Sequence, residues 1–168
     1  MTTIQREVRI NARQASVWDV LADLGAIVNF HPFVINSFYT SDTPHGEGAS
    51  RVCEFGDGLA IEETAVEWHE GESYTLRIGF LRGRTPPIHN NHAYFALRTE
   101  GRETVATLQL SYEPKFSVLG MALDKLMIQR QFGKTVAGIL DGLKHHAETG
   151  ETVDVKVLKR IQAAPIAA

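Results

Sequence analysis

A long amphipathic segment near the C-terminal end of the chain, residues 117–147, constrains the possible folds more than any other part of the sequence. Its apolar side chains recur at the three- and four-residue spacing of a helix: Leu119, Leu123, Leu126, Met127, Phe132, Val136, Ile139, Leu140 and Leu143. At 1.5 Å per residue, a helix of about 30 residues measures about 45 Å, which is enough to cross a small domain. We therefore predict one long helix with an apolar face that another layer must cover.

The chain before this helix contains short segments in which apolar and polar residues alternate, separated by turn residues. The pattern predicts a first strand over 3–11 and two short helices over 17–24 and 26–30, the second of which ends before Pro32. Six more strands are predicted over 34–41, 49–55, 59–69, 73–80, 90–99 and 103–113. Because short turns join successive strands, an antiparallel sheet is favoured, and its uncovered face needs the long helix. This order predicts an α+β fold in which a curved sheet wraps around the helix.

The composition limits the kinds of molecule that we expect the protein to bind. The chain has 168 residues, of which 43% are hydrophobic and 22% are charged, as is typical of one globular domain. A formal net charge of −3 gives no reason to expect nucleic acid as a partner. No apolar run approaches the ~18 residues of a membrane span, and the N-terminus lacks the apolar region of a secretion signal. We expect no integral membrane association and a cytoplasmic location, and nothing in the sequence indicates an oligomeric state.

Cysteine and histidine usage gives no sign of a metal centre. Cys53 is the single cysteine and lies in a predicted strand, so we interpret it as a small packing residue. His89 and His92 are three positions apart and His145 and His146 are adjacent, but they have no cysteine partners and no His-Glu-x-x-His motif occurs. The sequence therefore predicts no metal site, and we expect no organic cofactor.

Several short motifs follow one another in the order of a known family. They are a first helix that carries a Trp, an aromatic-x-Pro, a Gly-x-x-Arg and then Gly, Glu and Tyr: Val17–Asp23, Phe30-His31-Pro32, Gly48-Ala49-Ser50-Arg51, Gly58, Glu63 and Tyr74. This pattern resembles the polyketide cyclase/dehydrase-like family of the START-like helix-grip superfamily (SRPBCC). The resemblance covers residues 3–147 and implies a helix-grip fold, with a curved antiparallel sheet of about seven strands around the long C-terminal helix. We predict a START-like domain over 1–147 and a tail over 148–168.

The tail carries a short alternating piece, Val153, Val155 and Val157, followed by an end rich in alanine and proline. We expect this end to be poorly ordered.

The implied fold has a cavity between the sheet and the long helix, and such pockets are mostly apolar with a few polar groups that orient the ligand. Strand parity places Ile61, Glu63 and Ala65 on one face of their strand. The residues that we expect to contact a ligand are Phe30, Phe33, Ile61, Glu63, Tyr74, Leu76, Tyr94, Tyr112, Leu123, Met127 and Gln131.

Two residues are candidates for proton transfer, and each has a simpler interpretation. Glu63 in an apolar pocket would have a raised pKa and could donate a proton, or it could pair with Arg51 on the neighbouring antiparallel strand. His31 could donate a proton at the cavity mouth, or it could simply end a helix next to Pro32, which is the interpretation that we favour. For each tyrosine, packing with the hydroxyl reaching water is the alternative to ligand contact.

The resemblance implies three classes of function. The first is binding of a small hydrophobic or aromatic molecule, such as a lipid, a polyketide or an isoprenoid-like compound. The second is a polyketide cyclase or dehydratase without a cofactor, in which Glu63, His31 and a tyrosine transfer protons. The third is a protein-interaction or quinone-carrier module. Because the sequence contains no unmistakable acid and base pair, we rank binding above catalysis.

Overall fold

The structure is a computed structural model that describes residues 1–115 and 128–164. Its elements follow in the order β1 (Thr2–Ile10), α1 (Gln14–Ala22), a 3₁₀ helix (Leu24–Asn29), β2 (Val34–Tyr39), β3 (Ser50–Phe55), β4 (Ala60–His69), β5 (Ser73–Arg82), β6 (Ile88–Glu100), β7 (Glu103–Pro114), α2 (Gln129–Thr149) and α3 (Val155–Ala163). The predicted α+β helix-grip architecture is confirmed. Of the two short helices, the second is a 3₁₀ helix, capped by the Asp23 carboxylate through the backbone N–H of Ala26.

All seven strands form one antiparallel sheet in the order β1-β7-β6-β5-β4-β3-β2. Each strand from β2 to β6 forms a hairpin with the next strand in the chain, and β7 also pairs with β1. Side chains alternate between the two faces, and one row on the inner face consists of Leu76, Ala93 and Leu110, which are paired across β5, β6 and β7. Leu76 and Ala93 are buried. The inner face is therefore the face that carries the core.

Helix α2 covers part of the inner face and contacts β1 and β7. Its buried apolar residues are Val136, Ile139, Leu140 and Leu143, as the predicted stripe requires. The helix ends at Thr149, two residues beyond the predicted end at 147. It is followed by Gly150, whose φ of 76° is in the left-handed region and whose N–H donates to the His146 carbonyl. The prediction for residues 117–127 lies outside the described residues.

Two glycines let other segments approach α2 closely. A Cβ on Gly142 would lie 2.1 Å from the carbonyl oxygen of Phe30, so any larger residue would push this turn away. At Gly138 a Cβ would lie 3.2 Å from Leu158 and 3.4 Å from the ring of Phe33. These contacts hold the segment from Phe30 to Phe33 against the helix.

The tail contains a helix that the sequence analysis did not predict. Residues Val155–Ala163, which overlap the short alternating piece, form α3. The carboxylate of Asp154 caps this helix by accepting from the backbone N–H groups of Lys156 and Val157, and Leu158 is buried against Gly138. A helix forms because a good cap and one buried leucine outweigh an alternation that is only three residues long. Residues 165–168 lie outside the described part of the chain.

No helix among the described residues is long and apolar enough to cross a membrane.

Candidate functional site

One continuous row of side chains crosses the inner face of the sheet over five strands. The register pairs Tyr39 with Arg51, Arg51 with Glu63, Glu63 with Ile78, and Ile78 with Asn91. Four of these five residues are polar, whereas the neighbouring inner-face row of Ala65, Leu76 and Ala93 is apolar. We call these five residues the polar row, and the candidate site is built around it.

The centre of the polar row is a buried ion pair. Arg51 Nε donates to Glu63 Oε2 at 2.8 Å, and Arg51 Nη2 lies 2.7 Å from the same oxygen. The side chains are only 2% and 9% exposed, and Arg51 Nη1 also donates to the carbonyl of Leu24. Burial is the largest single effect and lowers the pKa of Arg51, but the Glu63 charge and hydrogen bond, together with Cys53 and Tyr74, outweigh it and the pKa is raised. The guanidinium thus ties β3, β4 and the 3₁₀ helix together.

The two oxygens of Glu63 are used differently. Oε2 accepts both contacts from Arg51 and a weak one from Cys53 Sγ at 3.5 Å, whereas Oε1 has no hydrogen-bond partner among the described residues. Of the two interpretations of Glu63, the structure shows the pair with Arg51. A carboxylate held by a guanidinium accepts hydrogen bonds, so the geometry supports an acceptor at Oε1 and gives no support for a proton donor.

His31 lies beside this pair and is 7% exposed. Its ring makes edge contacts with the rings of Phe33 and Phe55, at centroid distances of 5.8 and 5.7 Å. Burial lowers the pKa of His31 to about 4, against the opposing effect of the Glu63 charge, so the imidazole is neutral near pH 7. Nδ1 accepts from the backbone N–H of Phe33 at 3.3 Å, which places the proton on Nε2. This packing supports the simpler interpretation of His31, a residue that ends a helix next to Pro32.

Tyr74 lies on the inner face of β5, two residues from Leu76, and is buried. Its ring stacks on Trp68 at a centroid distance of 5.1 Å and contacts Trp18 at 6.0 Å. Burial raises the pKa of its phenol, in spite of the nearby charge of Arg51, and keeps it neutral. Burial likewise raises the pKa of Cys53 to about 12, so this residue is an uncharged packing thiol, as predicted.

Glu70 connects the aromatic end of the site to helix α1. Its two carboxylate oxygens accept from the indole N–H groups of Trp18 and Trp68, each at 2.7 Å, and His45 lies 2.9 Å away. These hydrogen bonds lower the pKa of Glu70, with the bond from Trp68 as the largest cause. Sequence reasoning missed this network because its members are far apart in the chain, although the Trp of the first helix was part of the family motif.

The other predicted ligand contacts have mixed outcomes. Phe30, Ile61, Leu76 and Tyr112 are buried, the last with its ring edge-on to Phe132. Phe33 is half-buried and packs against Gly138 and His31. Leu123 and Met127 lie outside the described residues.

Two of the predicted contacts are not supported. Tyr94 pairs with Thr75, and this pair alternates with the inner-face pairs of Tyr74 with Phe95 and Leu76 with Ala93. It therefore points to the outer face of the sheet, because neighbouring residues of a strand point to opposite sides. Gln131 is exposed on α2. We remove both from the proposed lining.

The inner face is not sealed to the same degree along its length. On β5, Tyr74 and Leu76 are fully buried, whereas Ile78 and Phe80 are only half-buried. Phe55 is another half-buried apolar residue of the inner face at this end, and Leu110, in the row of Leu76 and Ala93, is half-buried too. We call Phe55, Ile78, Phe80 and Leu110 the accessible inner wall. It adjoins the polar row, so apolar surface and buried polar atoms meet at one place, as they do in small-molecule pockets.

Asn91 is a member of the polar row that sequence reasoning did not find. It is 8% exposed, and its Oδ1 is buried without a hydrogen-bond partner among the described residues. A β-bulge lies between His89 and His92, where the register of β6 against β7 shifts. The available signal was strand parity, since Asn91 shares its parity with the buried Ala93.

The rest of the described structure offers no second buried polar site. A surface cleft of about 500 Å³ lies between the start of α1 and the β6–β7 turn, lined by Arg13, Gln14, Thr99, Gly101, Arg102 and Glu103. Within residues 1–115 and 128–164, no group of three or more His, Cys, Asp or Glu side chains is arranged to hold a metal ion.

Residues 1–148 match the family model described as polyketide cyclase / dehydrase and lipid transport. The chain belongs to this family. The match confirms the resemblance to this family that the sequence motifs indicate. No curated protein sequence matches the chain at a significant level.

Solved structures with the same fold have low sequence identity to this chain. A protein from Thermobifida fusca is 25% identical, with 91% of this chain and 97% of that chain covered and a TM-score of 0.68. The Zhui aromatase/cyclase from Streptomyces sp. R1128 is 13% identical, with coverage of 88% and 93% and a TM-score of 0.71. The Aha1 dimer from Colwellia psychrerythraea is 13% identical, with coverage of 89% and 98% and a TM-score of 0.65. At 13% identity, the similarity shows the helix-grip fold alone.

Proposed function

We propose that the protein binds a small hydrophobic or aromatic molecule, such as a lipid, a polyketide or an isoprenoid-like compound, between the sheet and the C-terminal helix. The observation that carries this proposal is the position of Glu63 Oε1, an acceptor with no described partner on a buried side chain beside the accessible inner wall. A carboxylate oxygen that faces apolar surface gains free energy from a hydrogen bond. A bound hydroxyl or amine would satisfy this one.

Apolar contact would supply most of the affinity. Burial of about 300 Å² of ligand surface on residues such as Phe55, Ile78 and Phe80 is worth about 7 kcal/mol before the costs of ordering are subtracted. Hydrogen bonds to the polar row would then select among apolar molecules by orientation. The family description, which includes lipid transport, is consistent with this division of roles.

Catalysis as a cyclase or dehydratase is the second candidate. It is favoured by the family description, and the similar fold of an aromatase/cyclase agrees with it. In that case Glu63, His31 and Tyr74 would move protons without a metal or an organic cofactor. Because Glu63 is paired and His31 is neutral near pH 7, the geometry offers acceptors and neutral donors but no strong acid.

Binding is tested by filling the accessible inner wall. Ile78→Trp adds a large ring to the half-buried inner position on β5, and Arg77→Trp places the same ring on the exposed outer face one residue away. Titration with the neutral fluorescent probe N-phenyl-1-naphthylamine should give saturable binding to the wild type and to Arg77→Trp, and at least tenfold weaker binding to Ile78→Trp. Equal binding by all three proteins would place the probe elsewhere and would contradict the proposal.

Catalysis is tested by turnover of a linear polyketide mimic. If the protein is a cyclase that uses Glu63, then Glu63→Gln abolishes turnover while circular dichroism shows a folded protein. Unchanged turnover would remove Glu63 from the mechanism.

A further inference from the structure

Asn91 is unusual among the polar residues of the interior. Most buried side-chain oxygens accept at least one hydrogen bond, because leaving an acceptor without a partner costs about 1–3 kcal/mol. Asn91 Oδ1 accepts none from the described residues, although the side chain is more than nine-tenths buried. Its backbone position is fixed, since Asn91 pairs with Ile78 on β5. The neighbouring inner-face residues, Ile78 and Ala93, are apolar, so an apolar side chain at position 91 would avoid this cost.

The register relates Asn91 to the second unpartnered acceptor, Glu63 Oε1. Ile78 pairs with Glu63 on one side and with Asn91 on the other, so the three residues lie side by side on consecutive strands. With a strand spacing of about 4.8 Å, the backbones of Glu63 and Asn91 are about 10 Å apart. The half-buried side chain of Ile78 lies between them. The arrangement is an apolar platform with a hydrogen-bond acceptor at each end.

We propose that Glu63 and Asn91 together select a ligand with two hydroxyl groups at opposite ends of an apolar frame. One hydroxyl donates to Glu63 Oε1, the other donates to Asn91 Oδ1, and the frame lies across Ile78. This inference rests on the proposed binding function and adds the class of ligand.

The chemistry of the two acceptors excludes other apolar ligands. The carboxylate of Glu63 is held by the Arg51 guanidinium and serves as an acceptor, so a quinone or a fatty-acid carboxylate, which offers only acceptors, would leave Glu63 Oε1 unsatisfied. A site that hydrogen-bonds a hydroxyl discriminates strongly against the analogue that lacks it, because the buried acceptor then stays unpaired. The guanidinium of Arg51 contacts the other oxygen of Glu63, Oε2, and thereby fixes the carboxylate plane. The polar row therefore acts on specificity, while the apolar wall supplies affinity.

The test uses three rigid probes of one shape: biphenyl, 4-hydroxybiphenyl and 4,4′-dihydroxybiphenyl. Their dissociation constants are measured by calorimetry for the wild type, for Asn91→Leu, and for Asn36→Leu as a control at an exposed asparagine on β2. Leucine matches asparagine in size and removes the acceptor. Circular dichroism and thermal unfolding establish that each variant is folded.

The wild type should bind the diol at least tenfold more tightly than 4-hydroxybiphenyl. Asn91→Leu should weaken binding of the diol by about tenfold and change that of biphenyl by less than twofold, since a tenfold change corresponds to about 1.4 kcal/mol for one hydrogen bond. Asn36→Leu should change neither. If the wild type binds biphenyl as tightly as the diol, or if Asn91→Leu weakens both equally, the two-acceptor proposal is wrong while binding itself stands. If no probe binds, the proposed function fails, and this inference fails with it.

Discussion

Acidification provides a quantitative test of the environment of His31. The imidazole is buried among Phe33, Phe55 and the ion pair, and burial lowers its pKa from 6.5 to about 4. Between these two values the unfolded chain binds a proton at this position and the folded protein does not. Stability must therefore rise with pH across this window and fall as the pH drops from 6.5 to 4.

The magnitude follows from the size of the shift. One pKa unit corresponds to about 1.4 kcal/mol, so the shift of His31 from 6.5 to about 4 removes about 3 kcal/mol of unfolding free energy by pH 4. Because domains of this size are commonly stable by only about 5–15 kcal/mol, the loss should be readily measured. Above pH 6.5 the contribution is fully present and independent of pH.

Urea unfolding at half-unit steps from pH 7.5 to 4 measures this loss, with His31→Asn as the reference. The oxygen of asparagine can accept the Phe33 N–H as Nδ1 does, and it does not titrate. The variant is less stable at pH 7, but its curve should fall by about 3 kcal/mol less than that of the wild type between pH 6.5 and 4. Carboxylates such as Glu70, whose pKa is lowered by its hydrogen bonds with Trp68 and Trp18, affect both proteins equally. Parallel curves would refute the assignment of His31 as a buried neutral group.

Three further predictions concern stability. Glu63→Gln should cost about 3 kcal/mol of unfolding free energy, because it leaves the Arg51 guanidinium buried without its countercharge; if adding Arg51→Met does not recover part of this cost, the pair is not coupled as described. Asn91→Leu should stabilise the ligand-free protein by about 1 kcal/mol in urea unfolding, and a loss of stability would show that Oδ1 has a partner. Leu158→Ala should cost about 2 kcal/mol and speed amide exchange at Val153, whereas no effect would mean that α3 does not pack on α2.

Much of the fold could be predicted because patterns within short stretches of the sequence specify its strands, turns and helix. Period-two alternation placed all seven strands, and the Gly56-Asp57-Gly58 turn made β3 and β4 an antiparallel hairpin, which brought Arg51 opposite Glu63. The C-terminal half of the long helix followed from one apolar stripe. In each of these cases a repeated pattern covers many residues, so the signal is strong.

Features that depend on contacts between distant segments were not predictable in this way. On β6 both parities carry an aromatic residue, Tyr94 on one side and Phe95 on the other, and only the pairing with β5 decides which one faces inward. The same uncertainty concealed Asn91. The link between Trp18 and Trp68 through Glu70 joins residues about fifty positions apart, and it exists only after α1 has folded onto the sheet.

The tail shows how a short pattern can mislead. Val153, Val155 and Val157 alternate, but only Val153 and Leu158 are well buried, and the Val153 N–H donates to the carbonyl of Asn29. Three alternating residues are too few to outweigh a capping aspartate and a site on α2 for one leucine.

The central claim is that the space beside the accessible inner wall holds a small apolar molecule. Native mass spectrometry of wild-type protein purified from cells tests it most directly, with Ile78→Trp and Arg77→Trp purified in parallel. The account predicts a co-purified small molecule on the wild type and on Arg77→Trp that is absent from Ile78→Trp. Wild-type protein that is consistently empty, and that also fails to take up an added apolar probe, would contradict it.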